Sequence, residues 1–136
     1  MRFQLDIVSL KGSVFTGEAE EVIIPSLSGE MSVLARHMPL VTPLTTGVVV
    51  VKTSQTNLYF SIGKGVFSIA NDAAMLLIED VESADEISEE KANEAKRKAE
   101  EIIAKGVEGE EKLKAHYLLR KSLVDLKIVR RKRKLV

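Results

Sequence analysis

The spacing of apolar side chains changes near residue 80, from every second position to helical spacing. Before this point, apolar and polar residues alternate in short segments, as around Phe3, Leu5 and Ile7. Segments of this kind, separated by turn residues about every 8–12 positions, are typical of a β-sandwich or flattened barrel. We therefore predict an antiparallel β-sandwich over residues 1–82.

The second part of the chain contains no Pro, and its only glycines are Gly106 and Gly109. We predict one helix from the N-cap Ser88 to about Lys105, a corner at Gly106 and Gly109, and a second helix from about Glu110 toward Arg130. Because the apolar face of the first helix is small, a leucine-bearing helix can approach it closely. We predict an antiparallel helical hairpin over residues 83–136, entered through an acidic linker at residues 80–87. The small face consists of Ala92, Ala95 and Ala99.

The charge balance differs between the two parts, although 20 Lys+Arg and 20 Asp+Glu cancel overall. Residues 1–80 carry 5 basic and 8 acidic side chains, and residues 81–136 carry 15 and 12. The chain has no Cys, which excludes disulfides and thiolate metal sites. No apolar stretch approaches the roughly 20 residues that span a bilayer, so we expect no direct bilayer insertion.

No motif of catalytic chemistry is recognisable. The two histidines, His37 and His116, have no nearby Cys or paired carboxylate and do not make a metal site. The segment at residues 63–65 (Gly-Lys-Gly) lies between two predicted strands and lacks the remaining residues of a phosphate-binding loop, so we interpret it as a turn. We expect a protein without catalytic residues, resident metal or cofactor.

One segment carries a specific family resemblance. Residues 29–40 read Gly-Glu-Met-Ser-Val-Leu-Ala-Arg-His-Met-Pro-Leu, and Pro43-Leu44 and a Gly-Val strand at 47–51 follow. This resembles the signature of the epsilon subunit of the bacterial F-type ATP synthase. The resemblance covers the whole chain in order, including the acidic linker and the Ala-rich helix. Ser32 replaces the usual Gly, and Ala35-Arg36 replaces the usual Pro-Gly, which predicts a differently shaped turn before His37.

The resemblance implies a non-catalytic subunit of the central stalk, which couples proton transport to ATP synthesis. Its expected partners are the gamma subunit, the membrane rotor ring and, through the C-terminal helices, the catalytic alpha and beta subunits. The helices are expected to restrain ATP hydrolysis. The expected location is peripheral, on the cytoplasmic face of the cell inner membrane.

By resemblance, the rotor-ring contact is a turn followed by a loop histidine. An ordinary alternative exists for each part: Glu30 is then a solvated charge, and His37 hydrogen-bonds a backbone carbonyl. The residues of the implied contact are Ser28, Gly29, Glu30, Met31 and His37.

A second implied site is the start of the first helix, where many members of the family carry Ile-Asp-x-x-Arg-Ala for ATP. Here Ile87 and Ala92 are kept, but Ser88 replaces the Asp and Lys91 replaces the Arg. Ser88 lacks the carboxylate acceptor, and Lys91 lacks the planar two-pronged donor. An ordinary capped helix start is the favoured interpretation, so we expect ATP to bind weakly or not at all and to be no resident cofactor.

The C-terminal helix and tail are rich in cations. By resemblance, these cations contact acidic segments of the catalytic subunits. Two alternatives stay open: a solvated terminus, and a small nucleic-acid-binding module that uses the basic tail. With four Phe and two Tyr, the chain offers no evident platform for stacking bases, so no nucleic acid is expected. The candidate contacts are Arg120, Lys121, Lys127, Arg130 and Arg131.

Overall fold

The computed structural model describes the backbone of residues 1–135 and the side chains of residues 1–130. The chain divides after Ser83 into a β unit and a helical unit. The β unit has ten strands: β1 Phe3–Ser9, β2 Gly12–Ala19, β3 Glu21–Ser26, β4 Gly29–Leu34, β5 Leu40–Leu44, β6 Gly47–Lys52, β7 Asn57–Ile62, β8 Gly65–Ala70, β9 Ala73–Ile78 and β10 Val81–Ser83. The helical unit has a 3₁₀ turn, Ala84–Glu86, and helices α1 Glu89–Ala104 and α2 Glu110–Leu135.

The strands form two five-stranded layers that meet at one corner. The first layer has the order β4-β3-β6-β7-β10, and the second has the order β5-β8-β9-β1-β2. Ser26 of β3 pairs with Leu44 of β5 and joins the layers. All pairs are antiparallel except β1 with β9. The predicted β-sandwich followed by a helical hairpin is confirmed, with one parallel pair added.

The core lies between the layers and follows the alternation of the sequence. Phe3, Leu5 and Ile7 of β1 point inward and are buried, while Gln4 between them is exposed. The rings of Phe15 and Phe60 meet edge to face at 6.3 Å between centroids, which ties β2 to β7. Burial of this apolar set is the main force that holds the unit together.

The predicted linker is shorter than the sequence indicated. Val81, Glu82 and Ser83 pair with Ile62, Ser61 and Phe60 of β7, and Val81 packs against the core. Treating Val81–Ser83 as linker was therefore wrong: its acidic composition hides an edge strand whose pairing depends on a partner distant in sequence.

α1 begins and ends, and α2 begins, where the capping residues predicted, whereas α2 continues past the predicted Arg130 to Leu135. The side-chain oxygen of Ser88 accepts a hydrogen bond from Lys91 N at 3.3 Å. Gly106 and Gly109 take φ of 73° and 72°, a conformation that glycine adopts without steric cost, and they form the corner. α1 and α2 pack against each other. The small residues Ala92, Ala99 and Ala115 are buried, in line with the predicted close approach of the helices.

Candidate partner-binding surfaces

The β unit exposes an apolar face on the outside of the second layer. On β9, Ala74, Leu76 and Ile78 point into the core, whereas Met75 and Leu77 point outward and expose 38% and 53% of their surface. Both sides of this strand are therefore apolar. A sheet side of this kind that is left open in a single chain indicates a place for a partner.

The neighbouring strands extend this exposed face. Leu77 pairs with Val66 of β8 on one side and with Val8 of β1 on the other, so the three side chains lie on the same side of the sheet. Val41 of β5 is 73% exposed and pairs with Ser68 of β8, which pairs with Met75 of β9. Val41 and Met75 therefore lie in the next row on the same side of the sheet. We call Val8, Val41, Val66, Met75 and Leu77 the outer apolar face. Sequence analysis did not single out these five residues.

A cleft of about 310 Å³ opens at one end of the outer apolar face. Val8, Leu10, Val66 and Leu77 form its apolar walls, and Lys64 and Glu79 also line it. Gly65 is required here because an added Cβ would lie 2.3 Å from the carbonyl oxygen of Leu77. Leu10 exposes 87% of its surface.

Four of the five predicted rotor-contact residues lie together at the β3–β4 turn. Ser26 Oγ donates to the carbonyl oxygen of Gly29 at 2.6 Å, and Gly29 takes a φ of 121°. Ser28 and Glu30 are exposed, and Met31 is half-buried against the core. The turn is thus a small, internally hydrogen-bonded tip with one free carboxylate side chain directed away from the core.

His37, the fifth residue, lies elsewhere. It follows the far end of β4, whose six residues separate the two sites by roughly 17 Å at about 3.3 Å per residue. Its Nδ1 lies 2.7 Å from the carbonyl oxygen of Met38, which is the ordinary loop hydrogen bond considered above. The structure does not bring His37 together with the β3–β4 turn.

Asp72, which sequence analysis did not single out, stabilises the turn before His37. Arg36 takes a φ of 66°, a value that favours glycine, and its backbone N donates to Asp72 Oδ1 at 2.6 Å. Asp72 belongs to the β8–β9 hairpin turn, and its carbonyl oxygen accepts from Gln4 N. Arg36 therefore adopts a conformation that suits the Gly of the family pattern, at a steric cost.

The four residues of the possible ATP motif form an ordinary helix start. Ser88 caps the first turn of α1, Ala92 is buried, Lys91 is exposed and Ile87 is half-buried. The hydroxyl of Ser88 is occupied by the Lys91 backbone N–H. That ATP binds weakly or not at all stays a prediction.

The five cations proposed for the catalytic subunits do not share one environment. Arg120, Lys127 and Arg130 are exposed on α2. Lys121 is nearly buried, and its Nζ lies 3.0 Å from Asp125 Oδ1. The side chain of Arg131 lies outside the described residues. In this conformation Lys121 is thus engaged within α2 and is not part of the exposed basic surface.

Among the residues described, no cluster of three or more His, Asp or Glu side chains could hold a metal ion. Within the same residues, no helix is long and apolar enough to cross a membrane.

The comparisons with known proteins agree with this architecture. Residues 2–84 match the family model of the ATP synthase Delta/Epsilon chain beta-sandwich domain. The chain is 36% identical to ATP synthase epsilon chain 1 of Methylococcus capsulatus, with 98% of this chain and 96% of that protein covered. It is 34% identical to the ATP synthase epsilon chain of Dehalococcoides mccartyi, again covering 98% and 96%.

A solved structure shares the fold at low identity. A chain of the Euglena gracilis mitochondrial ATP synthase, in an assembly of OSCP, F1 and c-ring, superposes with a TM-score of 0.78 at 18% identity. The match covers 88% of this chain and 76% of that one.

A β-sandwich with an open apolar side, followed by a hairpin of two helices, defines a class of subunit that works within an assembly. The chain belongs to the ATP synthase delta/epsilon family, and over almost its whole length it is similar to bacterial epsilon chains. The comparisons support this reading over the nucleic-acid alternative.

Proposed function

We propose that this chain is a rotor subunit of the central stalk of an F-type ATP synthase. In this role it has no catalytic residues of its own, and it helps to couple proton transport to ATP synthesis. The observation that carries the proposal is the outer apolar face, because exposed apolar patches of adjacent side chains often mark a protein–protein interaction site. Family membership supplies the identity of the assembly.

The outer apolar face is proposed to bind the gamma subunit. Val66, Leu77 and Val8 form one row of directly paired residues across β8, β9 and β1, and Val41 and Met75 lie in the next row on either side of Ser68. Removal of apolar surface from water contributes about 25 cal/mol per Å². The cleft beside Leu77 provides a recess for an apolar side chain of the partner.

The β3–β4 turn is proposed to contact the polar loops of the membrane rotor ring. It is a tip whose shape is fixed by the hydrogen bond from Ser26 to Gly29. Glu30 offers a carboxylate, and Leu27, 69% exposed, offers an apolar contact beside it. With this contact, the proposed location is peripheral, at the cytoplasmic face of the inner membrane.

The helical unit is proposed to restrain ATP hydrolysis. The exposed cations Arg120, Lys127 and Arg130 suit acidic segments of the catalytic subunits. Contacts between exposed charges are weak one by one and sensitive to salt. Contacts of this kind therefore suit an interaction that forms and breaks during regulation, and not a permanent one.

The binding of gamma can be tested with two leucines of nearly equal exposure. Leu77 on the outer apolar face is 53% exposed, and Leu34 on β4 of the other layer is 55% exposed. Leu77→Glu should abolish capture of gamma by the tagged chain, because the new carboxylate would be buried in an apolar contact.

Leu34→Glu is the matched control and should capture gamma as the parent does, with circular dichroism confirming that both variants fold. Equal capture by Leu77→Glu and the parent would refute binding of gamma at the outer apolar face.

A further inference from the structure

Two hairpin tips of the β unit share one sequence pattern and one hydrogen bond. The β1–β2 tip and the β3–β4 tip both read Ser-Leu-x-Gly, and in each the serine pairs with the glycine across the hairpin. Ser9 Oγ donates to the carbonyl oxygen of Gly12 at 3.3 Å. Ser26 Oγ makes the same bond to Gly29 at 2.6 Å, and the two glycines take φ of 125° and 121°. The chain thus contains the same tip twice.

Each of these tips presents a leucine to solvent. Leu10 exposes 87% of its surface, and Leu27 exposes 69%. The β6–β7 tip has the same kind of bond, from Thr53 Oγ1 to the carbonyl oxygen of Thr56 at 2.9 Å, but both residues between them are polar. Because such a tip forms without an apolar residue, the two leucines are not needed for the turn itself.

Strand pairing places the two leucine tips at the same end of the β unit. The pairs at this end run Ser9–Ile78, Ile78–Gly65, Gly65–Leu44 and Leu44–Ser26. Four steps of about 4.8 Å put the tips within roughly 20 Å of each other. β6 begins just after β5 has reached this end and runs away from it, so the polar β6–β7 tip lies at the opposite end.

We infer that the β1–β2 tip is a second contact to the rotor ring, with Leu10 and Leu27 acting as a pair. The inference rests on the proposed ring contact of the β3–β4 turn. A ring built from copies of one subunit presents the same loop repeatedly, so a tip that occurs twice at one end of the chain is complementary to it. Two linked contacts also bind more tightly than either alone, because the second forms within a complex already made.

The charges of the two tips favour this protein partner over a lipid surface. Lys11 lies within the first tip, and Glu30 directly follows the second; both are exposed. One cation and one carboxylate give no net attraction to anionic headgroups, which bind clusters of Lys and Arg. Polar loops of a protein can accommodate both signs of charge beside an apolar contact.

The test compares leucines at this end with one away from it. Leu10→Gln, Leu27→Gln and their combination are the test variants, and Leu34→Gln, 55% exposed at the far end of β4, is the matched control. The soluble complex is assembled with each full-length chain, and its affinity is measured for membranes that carry the rotor ring but have been stripped of the soluble complex. Each single test variant should weaken binding at least about fivefold, and the double variant more, whereas the control should bind as the parent does.

Two further measurements identify what the β1–β2 tip binds. Leu10 also lines the cleft beside Leu77, so capture of gamma is measured with the same variants and should equal that of the parent. Ring-free vesicles of the same membrane lipids should bind none of the complexes. Loss of gamma capture by Leu10→Gln, or binding to ring-free vesicles that Leu10→Gln weakens, would overturn the inference.

The ring-binding results also separate this inference from the proposed function. Weaker binding with Leu27→Gln but parental binding with Leu10→Gln would overturn the second contact and retain that of the β3–β4 turn. Parental binding with both variants would overturn both contacts.

Discussion

The outer apolar face of the β unit and the exposed face of α2 are both open surfaces, but they are built from opposite chemistry. The first is formed by Val41, Val66, Met75 and Leu77 on paired strands, where register fixes each side chain against its neighbours. The second carries Arg120, Lys127 and Arg130 as long, mobile cations on one helix.

Under the proposed function, the difference separates a permanent contact from a reversible one. A rigid apolar surface gains by removal of area from water, and it changes little with ionic strength. Exposed cations act over a distance that salt shortens from about 10 Å at 0.1 M to about 3 Å at 1 M. We therefore propose that the chain stays bound through its β unit while its helical unit binds and releases.

The largest expected effect distinguishes the two sides of β9. Leu76 is fully buried and Leu77 is half exposed, so the same truncation tests folding on one side and binding on the other. Leu76→Ala should lower the free energy of unfolding by about 2–5 kcal/mol. Leu77→Ala should change it by less than about 0.5 kcal/mol. Urea unfolding followed by circular dichroism measures both, and similar losses would show that Leu77 serves the fold.

Charge reversal on α2 tests the second surface. Arg120→Glu with Lys127→Glu should raise ATP hydrolysis by the soluble complex several-fold at low salt, and added salt should shrink the difference. Lys112→Glu with Lys114→Glu makes the same charge change at the start of α2 and should have little effect. No change in hydrolysis with the first pair at low ionic strength would leave these cations as solvated side chains.

A smaller effect is expected at Arg36, in the segment that connects β4 to β5. Arg36 holds a φ of 66°, which costs a non-glycine residue about 1–2 kcal/mol. Arg36→Gly should therefore raise the free energy of unfolding by about 1 kcal/mol, less any loss from a more flexible unfolded chain. Thermal unfolding measures the change. A lower melting temperature would mean that the Arg36 side chain stabilises the turn.

The smallest effect concerns pH. Hydrogen bonding by Ser32 and then the Lys52 ammonium hold the pKa of Glu21 below its ordinary value, against a raising effect of burial. Because the folded pKa is depressed, this stability is present above the ordinary Glu pKa and is lost as pH falls through the folded value. Glu21→Gln should cost less than about 1 kcal/mol at pH 7 and nothing below that window. A constant difference between pH 7 and pH 2 would exclude this cause.

Much of the fold follows from local pattern, but the surfaces do not. Alternation identified the strands, and Ser88, Gly106 and Gly109 marked the ends of helices, since caps act over a few residues. β9 is apolar on both sides, so its sequence cannot tell which side is open. That choice depends on what covers the sheet.

Charged residues were harder to place from sequence. Lys121 was a candidate contact to the catalytic subunits, yet Asp125, four positions later, was a visible sign of a local ion pair. The acidic Glu82 led to the prediction of a linker at β10, although Val81 packs against the core. In both cases a charged residue lies in an environment that only tertiary contacts define.

We propose that the β unit alone binds gamma and that the charges of the helical unit act separately. Residues 1–83, which retain β10, should therefore fold by circular dichroism and capture gamma as well as the full chain does at 0.1 M and at 1 M salt. Loss of capture in a folded 1–83 fragment, or capture that disappears at 1 M salt, would contradict an apolar seat on the β unit.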